Sequence, residues 1–224
     1  MNSQASITAL MSSFGRAFHT ENEVHPVFVE PLAKELMTAE EYEAVQGYIL
    51  NGANFFEPDL DTSGLTDKEI VRLLVNKHIA PSPLCRAAYT ESLLKNIVQT
   101  GISQYVILGA GMDTFAFREK EFVSGHRVYE VDHPLTQKDK QARIARAGWR
   151  TPENLTFVPV DFAKDRLSER LVESGFDKRQ ETLFSWLGVT YYLSVEAICG
   201  PAGNALIRLL NPTGSGWRWG FHYR

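Results

Sequence analysis

Gln104-Tyr-Val-Ile-Leu-Gly-Ala-Gly-Met-Asp-Thr-Phe-Ala-Phe117 is the stretch whose reading decides the fold. Tyr105 to Leu108 form an apolar run that ends in Gly109-Ala-Gly111, followed by residues able to open a helix. A short apolar run closed by glycines predicts a buried parallel strand with a tight turn at its carboxyl end. Open α/β sheets bind nucleotides at such strand ends. Without Cβ atoms, Gly109 and Gly111 let the chain turn sharply and let a ligand approach the backbone.

The residues after the glycines narrow the choice of ligand. A dinucleotide turn reads G-x-G-x-x-G/A and rests a pyrophosphate on a helix N-terminus. Here Thr114 holds the third glycine position and Asp113 precedes it. A carboxylate repels pyrophosphate but suits a ligand with a cationic end and no phosphate. S-adenosylmethionine, with a sulfonium and an ammonium, meets that description better than NAD does. Many structural strand-to-helix turns look similar, so the loop alone leaves open whether anything binds.

Two further strand ends point the same way. Arg127-Val-Tyr-Glu-Val-Asp-His-Pro134 is a β-rich run ending in acids and stopped by proline. Glu130 lies 21 residues after Gly109, close to the spacing of about 20 at which an acid reaches ribose hydroxyls in doubly wound folds. Only one of Glu130 and Asp132 is expected to reach the ribose from within the strand, with Asp132 able to swing in from the loop. Leu155-Thr-Phe-Val-Pro-Val160 is the third run, closed by Asp161-Phe162. Asp161 is placed to accept from an adenine amino group, and Phe162 to offer a backbone N–H or a stacking face. Pro159 removes one ladder donor, which fits an edge strand.

The first hundred residues read as mostly helical. Ile7, Leu10, Met11, Phe14 and Phe18 make an apolar stripe at helical spacing. Pro31 is expected in the first turn of a helix through Leu36, Thr38 to Glu41 reads as a capping box, and Thr66 to Glu69 opens the next helix. Pro81 and Pro83 are expected to break the chain ahead of the helix carrying Arg86.

Together these segments resemble the leucine carboxyl methyltransferase-like family, and within it a bacterial branch of S-adenosylmethionine-dependent methyltransferases. Val106 to Arg118, Glu130 to Pro134 and Val158 to Phe162 carry the resemblance. It extends upstream through His25 to Phe28, Leu36 to Tyr42 and His78 to Glu91, and downstream through Ser185 to Leu193. The resemblance implies an α/β fold of the class I methyltransferase (Rossmann-like) type, mostly parallel, with a helical cover at residues 1–100 and the cofactor domain at 101–224. It implies S-adenosylmethionine as cofactor and methylation of an acceptor, with cofactor contacts at Gly109, Asp132, Asp161 and Phe162, and Glu130 near the ribose; Ala110, Gly111 and Asp113 are expected contacts from their own place in the glycine turn. It also places Arg86 on the cofactor's methionine carboxylate, which a guanidinium grips bidentately.

Two departures from the family stand out. Relatives end the fourth strand in Glu-Gly, where this chain has Leu187-Gly188, so Asp113 or backbone carbonyls would have to hold the ammonium. Trp186 either faces the sulfonium, where an aromatic ring attracts a cation, or packs in the core. A fifth strand is expected at 217–223, where aromatic residues alternate with polar ones, and the chain is read as lacking the last strands of the seven-stranded sheet. Tyr191 and Tyr192 are candidate acceptor-pocket residues, and His78 and His133 candidate bases with structural alternatives. The acceptor is expected to be a small molecule or a peptide carboxylate.

Composition fits this frame. The 224 residues are 44% hydrophobic and 22% charged, with a net charge of −4 and no basic footprint for nucleic acid. The basic residues from Lys138 to Arg150 read as a solvated helix face. Cys85 and Cys199 are far apart, which fits a reducing cytoplasm and suggests neither metal nor disulfide. No apolar run reaches the 18 or so residues of a membrane span. A cofactor-binding relative without catalysis and an NAD-dependent oxidoreductase remain open alternatives.

Overall fold

The apolar stripe of the first helix and the apolar strand of Gln104–Leu108 each need a partner surface, and the architecture supplies one for each. The computed structural model describes residues 7–97 and 101–189. A helical layer comes first: α1 (Ile7–Asn22), α2 (Ala39–Asn51), α3 (Ala53–Phe56), α4 (Asp67–Leu74), a π-helical turn Val75–Ile79 and α5 (Pro81–Ile97). The alternating half follows: β1 (Gln104–Leu108), α6 (Phe115–Arg118), α7 (Lys120–Gly125), β2 (Arg127–Asp132), α8 (Pro134–Arg146), β3 (Leu155–Pro159), α9 (Leu167–Glu173) and β4 (Thr182–Trp186).

The four strands form one parallel sheet in the order β3-β2-β1-β4. β1 sits between β2 and β4 and is buried along its whole length, which is why it reads as a continuous apolar run. Tyr105, Ile107, Val128 and Leu155 pack on one face with Phe115, Phe117 and Ile144. Val106, Leu108, Tyr129, Val131 and Val158 pack on the other with Leu167, Leu171 and Phe176. Pro159 lies on the edge strand opposite Asp132, as its missing N–H requires, and its carbonyl accepts from Arg170 of α9.

The helical layer has its own core, in which Phe14 and Phe18 of α1 meet Ile49, Val71, Leu74 and Leu84. Each such ring contributes about 2 kcal/mol by leaving water. Leu36 and Leu94 join the sheet-side cluster instead, so the layer rests on that face. The α2 capping box is formed: Glu41 N–H donates to Thr38 Oγ1 at 3.1 Å, and Thr38 N–H donates to Glu41 Oε2 at 2.9 Å. The same reciprocal pair opens α4 at Thr66 and Glu69.

Four expectations need correction. Ile7, the first residue of the expected stripe, is exposed. Residues 31–36 are successive turns with bonds such as Glu35 N–H to Leu32 C=O, and no α-helix forms. There the Ala33 carbonyl serves Ser13 and the Leu36 carbonyl serves Arg143 and Arg146, so side chains take the acceptors a helix would use. Pro81 and Pro83 lie inside the first turn of α5, where a missing N–H costs nothing. The basic stretch after β2 is not one solvated face, because Lys140 and Arg143 are buried and paired with Glu130 and Glu41. The expected strand at 217–223 lies outside the described residues. No helix among them is long and apolar enough to cross a membrane.

Replacing Thr38 by Ala removes the α2 cap. Denaturant unfolding should show a loss of about 1 kcal/mol.

Candidate functional site

The carboxyl ends of β1, β2, β3 and β4 open into one cavity of about 650 Å³, which α1 and α5 flank on the helical side. Gly109 (φ 67°) and Gly111 (φ 51°) take left-handed backbone to turn the chain out of β1. A Cβ at Gly109 would lie 2.1 Å from Val189 Cγ2, so only glycine lets the segment after β4 close against this turn. Gly109, Ala110, Gly111 and Asp113 all line the cavity. Asp113 also accepts from the N–H of Phe115, the first residue of α6, at 2.7 Å.

Asp132 lines the cavity from the end of β2. Its two oxygens accept from Gly111 N–H at 2.5 Å and His133 N–H at 2.7 Å. Burial pushes its pKa above the ordinary value, against the pull of those two backbone bonds. Asp161 and Phe162 line the cavity at the end of β3. Asp161 accepts from Ala163 N–H and pairs with Lys164 at 3.0 Å, which holds its pKa below the usual carboxylate range.

Arg86 reaches the cavity from α5. Its guanidinium lies over Gly188, where an added Cβ would fall 2.2 Å from Nη1. The glycine that follows β4 is therefore a seat for this arginine. Sequence reading noted Gly188 only as the remnant of a Glu-Gly pair.

One expected site residue is placed elsewhere, and Trp186 takes the core position of its two alternatives. Glu130 is not among the residues lining the cavity. Its carboxylate lies beneath the sheet end, 1% exposed, paired with buried Lys140 of α8 at 2.5 Å. The reason is helical packing: α8 covers that face of β2 and supplies a cation there. Trp186 is likewise absent from the lining and packs against Phe162, ring centroids 6.3 Å apart, in the cluster on the opposite sheet face. Of the two histidines, His78 pairs with Glu57. His133 lines the cavity and N-caps α8 through Nδ1, which accepts from Leu135 N–H at 3.3 Å. Tyr191 and Tyr192 lie outside the described residues.

Several lining residues had no sequence signal. Tyr105 donates to or accepts from Ser185 across the buried end of the cavity at 2.9 Å, and burial raises the phenol's pKa further. Glu91 lines the cavity while pairing with Arg118 at 2.5 Å. Arg16 comes from α1, remote in sequence. The β1–β4 register and the docking of α1 and α5 bring these groups together. Among the described residues, no group of acids, histidines and cysteines could hold a metal ion.

A parallel sheet with acids at successive strand ends, a glycine turn after β1 and a helical cover defines the Rossmann-like methyltransferase class. The family model described as leucine carboxyl methyltransferase matches residues 9–200, and the chain belongs to that family. A protein of Bacillus subtilis (strain 168), named "Putative S-adenosyl-L-methionine-dependent methyltransferase YktD", is 38% identical over 194 residues, covering 86% of this chain and 64% of the relative. A Mycolicibacterium paratuberculosis (strain ATCC BAA-968 / K-10) protein with the same descriptive name is 30% identical over 201 residues, 88% of this chain and 60% of the relative. The chain thus spans less than two thirds of the length of these relatives.

Burial raises the Glu130 carboxyl from its ordinary 4.5 to about 7, with Lys140 opposing the shift. A carboxyl that holds its proton more tightly folded than unfolded stabilises most below pH 4.5, and this contribution fades as pH rises through 7. Unfolding free energies measured between pH 4.5 and 8 should therefore fall less steeply with pH in Glu130→Gln than in the wild type.

Proposed function

We propose that this chain binds S-adenosylmethionine in the cavity at the strand ends and transfers its methyl group to an oxygen of an acceptor. The observation that carries the reading is one cavity lined by the Gly109–Gly111 turn, Asp132, Asp161, Phe162 and Arg86. The donor set suits that cofactor. Asp132 would accept from the ribose hydroxyls, and Asp161 with the Phe162 backbone would meet the adenine edge. Arg86, seated over Gly188, would pair with the carboxylate of the methionine end. Asp113 would face the ammonium, the role for which Leu187 has no charge. Glu130 would act from beneath the site through its pair with Lys140, without touching the ligand.

When bound, the cofactor supplies a methyl carbon already activated by the sulfonium. What remains for the protein is alignment of the acceptor oxygen and exclusion of water. The helical layer, with Thr8, Ser12 and Arg16 of α1 and Thr90 of α5 at the cavity wall, serves the second task. A carboxylate acceptor is ionised at neutral pH and needs no general base. Such an acceptor fits the described groups, because His133 caps α8, Asp113 accepts from Phe115 N–H and Glu91 holds Arg118, and none of the three stands unengaged as a base. A small-molecule carboxylate or a peptide carboxylate is the acceptor class proposed.

Titration calorimetry tests the reading. S-adenosylmethionine and S-adenosylhomocysteine should bind in the micromolar range and NAD should not; tight NAD binding with no S-adenosylhomocysteine binding would overturn it. Asp132→Ala loses charge-assisted hydrogen bonds, so affinity should fall by about 2 kcal/mol, roughly thirtyfold. An unchanged affinity would remove Asp132 from the ribose end.

A further inference from the structure

The residues on either side of Asp113 are both held by the helical layer. Arg16 Nη2 donates to the Met112 carbonyl at 2.9 Å, across 96 residues of sequence. Thr114 Oγ1 donates to Glu30, across 84 residues. The two tethers meet on one acid, because Arg16 Nη1 donates to both Glu30 oxygens at 2.8 and 2.9 Å. Glu30 and Thr114 have no solvent exposure, and Thr20 Oγ1 fixes Glu30 further by accepting its backbone N–H at 2.9 Å. Arg118 extends the network, donating from Nε to Thr114 at 2.9 Å while its Nη2 holds Glu91.

We propose that Arg16 and Glu30 are positioning residues for the cofactor loop, fixing Asp113 at the cavity wall by clamping Met112 and Thr114. The inference rests on the cofactor reading above and adds to it a linkage. Ligand binding at the loop and seating of the segment around Glu30 stabilise each other, by equal amounts in both directions. Neither residue is required to touch the ligand for this effect. A loop free to shift by even an ångström would present Asp113 and the glycine backbone in the wrong place.

The test uses the full chain and S-adenosylhomocysteine. Thr114→Val deletes the hydroxyl tether and keeps the shape. Arg16→Lys keeps a charge for Glu30 but cannot reach the Met112 carbonyl at the same time. Both should weaken S-adenosylhomocysteine at least tenfold, while Thr114→Ser should restore affinity. Thr66→Ala removes the α4 cap, elsewhere in the helical layer and away from residues 30–37. It should lower the melting temperature yet leave the affinity within threefold. Hydrogen exchange provides a readout that bulk stability does not move. In the wild type the ligand should slow exchange of the amides at 30–37, and in Thr114→Val that slowing should vanish. Wild-type affinity in both tether variants, affinity losses that merely track melting temperature across all variants, or no ligand-induced slowing at 30–37 each overturns the clamp. Failure of the wild type to bind S-adenosylhomocysteine overturns the cofactor reading and the clamp with it. Should Thr114→Val not fold, the wild-type exchange pattern decides the matter.

Discussion

Glu30 is a fully buried carboxylate, and a charge taken out of water costs several kcal/mol unless an opposite charge and hydrogen bonds enclose it. Arg16, Thr114 and the approach of Arg118 Nε to 4.0 Å supply that enclosure. Arg16 comes from α1, whereas Thr114 and Arg118 come from the loop after β1 and from α6, so the enclosure is complete only when helical layer and sheet are docked. Removing one partner would strand the others in a dry interior, the situation in which single substitutions are most damaging. The pair is thus less a source of net stability than a condition on the arrangement. It admits one seating of α1 against the glycine loop.

A second seam works by sharing a group between local and distant tasks. Glu41 completes the α2 capping box and also receives Arg143 from α8, at 2.6 Å on each oxygen. Arg143 and Arg146 then take the Leu36 carbonyl, and Trp149 donates to Glu35 at 2.8 Å. The irregular chain at 31–37 is thus pinned from both halves, by Ser13 of α1 at Ala33 and by these groups of the far half at Glu35 and Leu36. It is ordered by tertiary contacts, because local propensity supplies little there.

What sequence could reveal follows from this division. β1, its glycine turn, the parallel neighbours and the edge placement of Pro159 were legible because each is written in consecutive residues. The same holds for both capping boxes. Lys140 and Arg143 were read as solvated because periodicity registers charge and cannot see a partner on another element. Glu130 was misplaced for the same cause: nothing local says that α8 puts an ammonium under β2. Arg16, Glu30 and Gly188 carry no motif, since their roles exist only where distant segments meet. Arg86 was singled out through resemblance alone, and its seat over Gly188 came from the fold.

Pro159 has a consequence for how copies of this molecule meet. Val160 N–H faces β2 and bonds to the Asp132 carbonyl at 2.8 Å, so by strand alternation the N–H that Pro159 lacks would have pointed away from the sheet. The outward carbonyl of Pro159 is itself occupied by Arg170. At that position the border of the sheet offers a newcomer neither donor nor open acceptor. A foreign strand, or the β3 of another copy, cannot extend the ladder through it, and the proline protects the molecule from edge-to-edge aggregation.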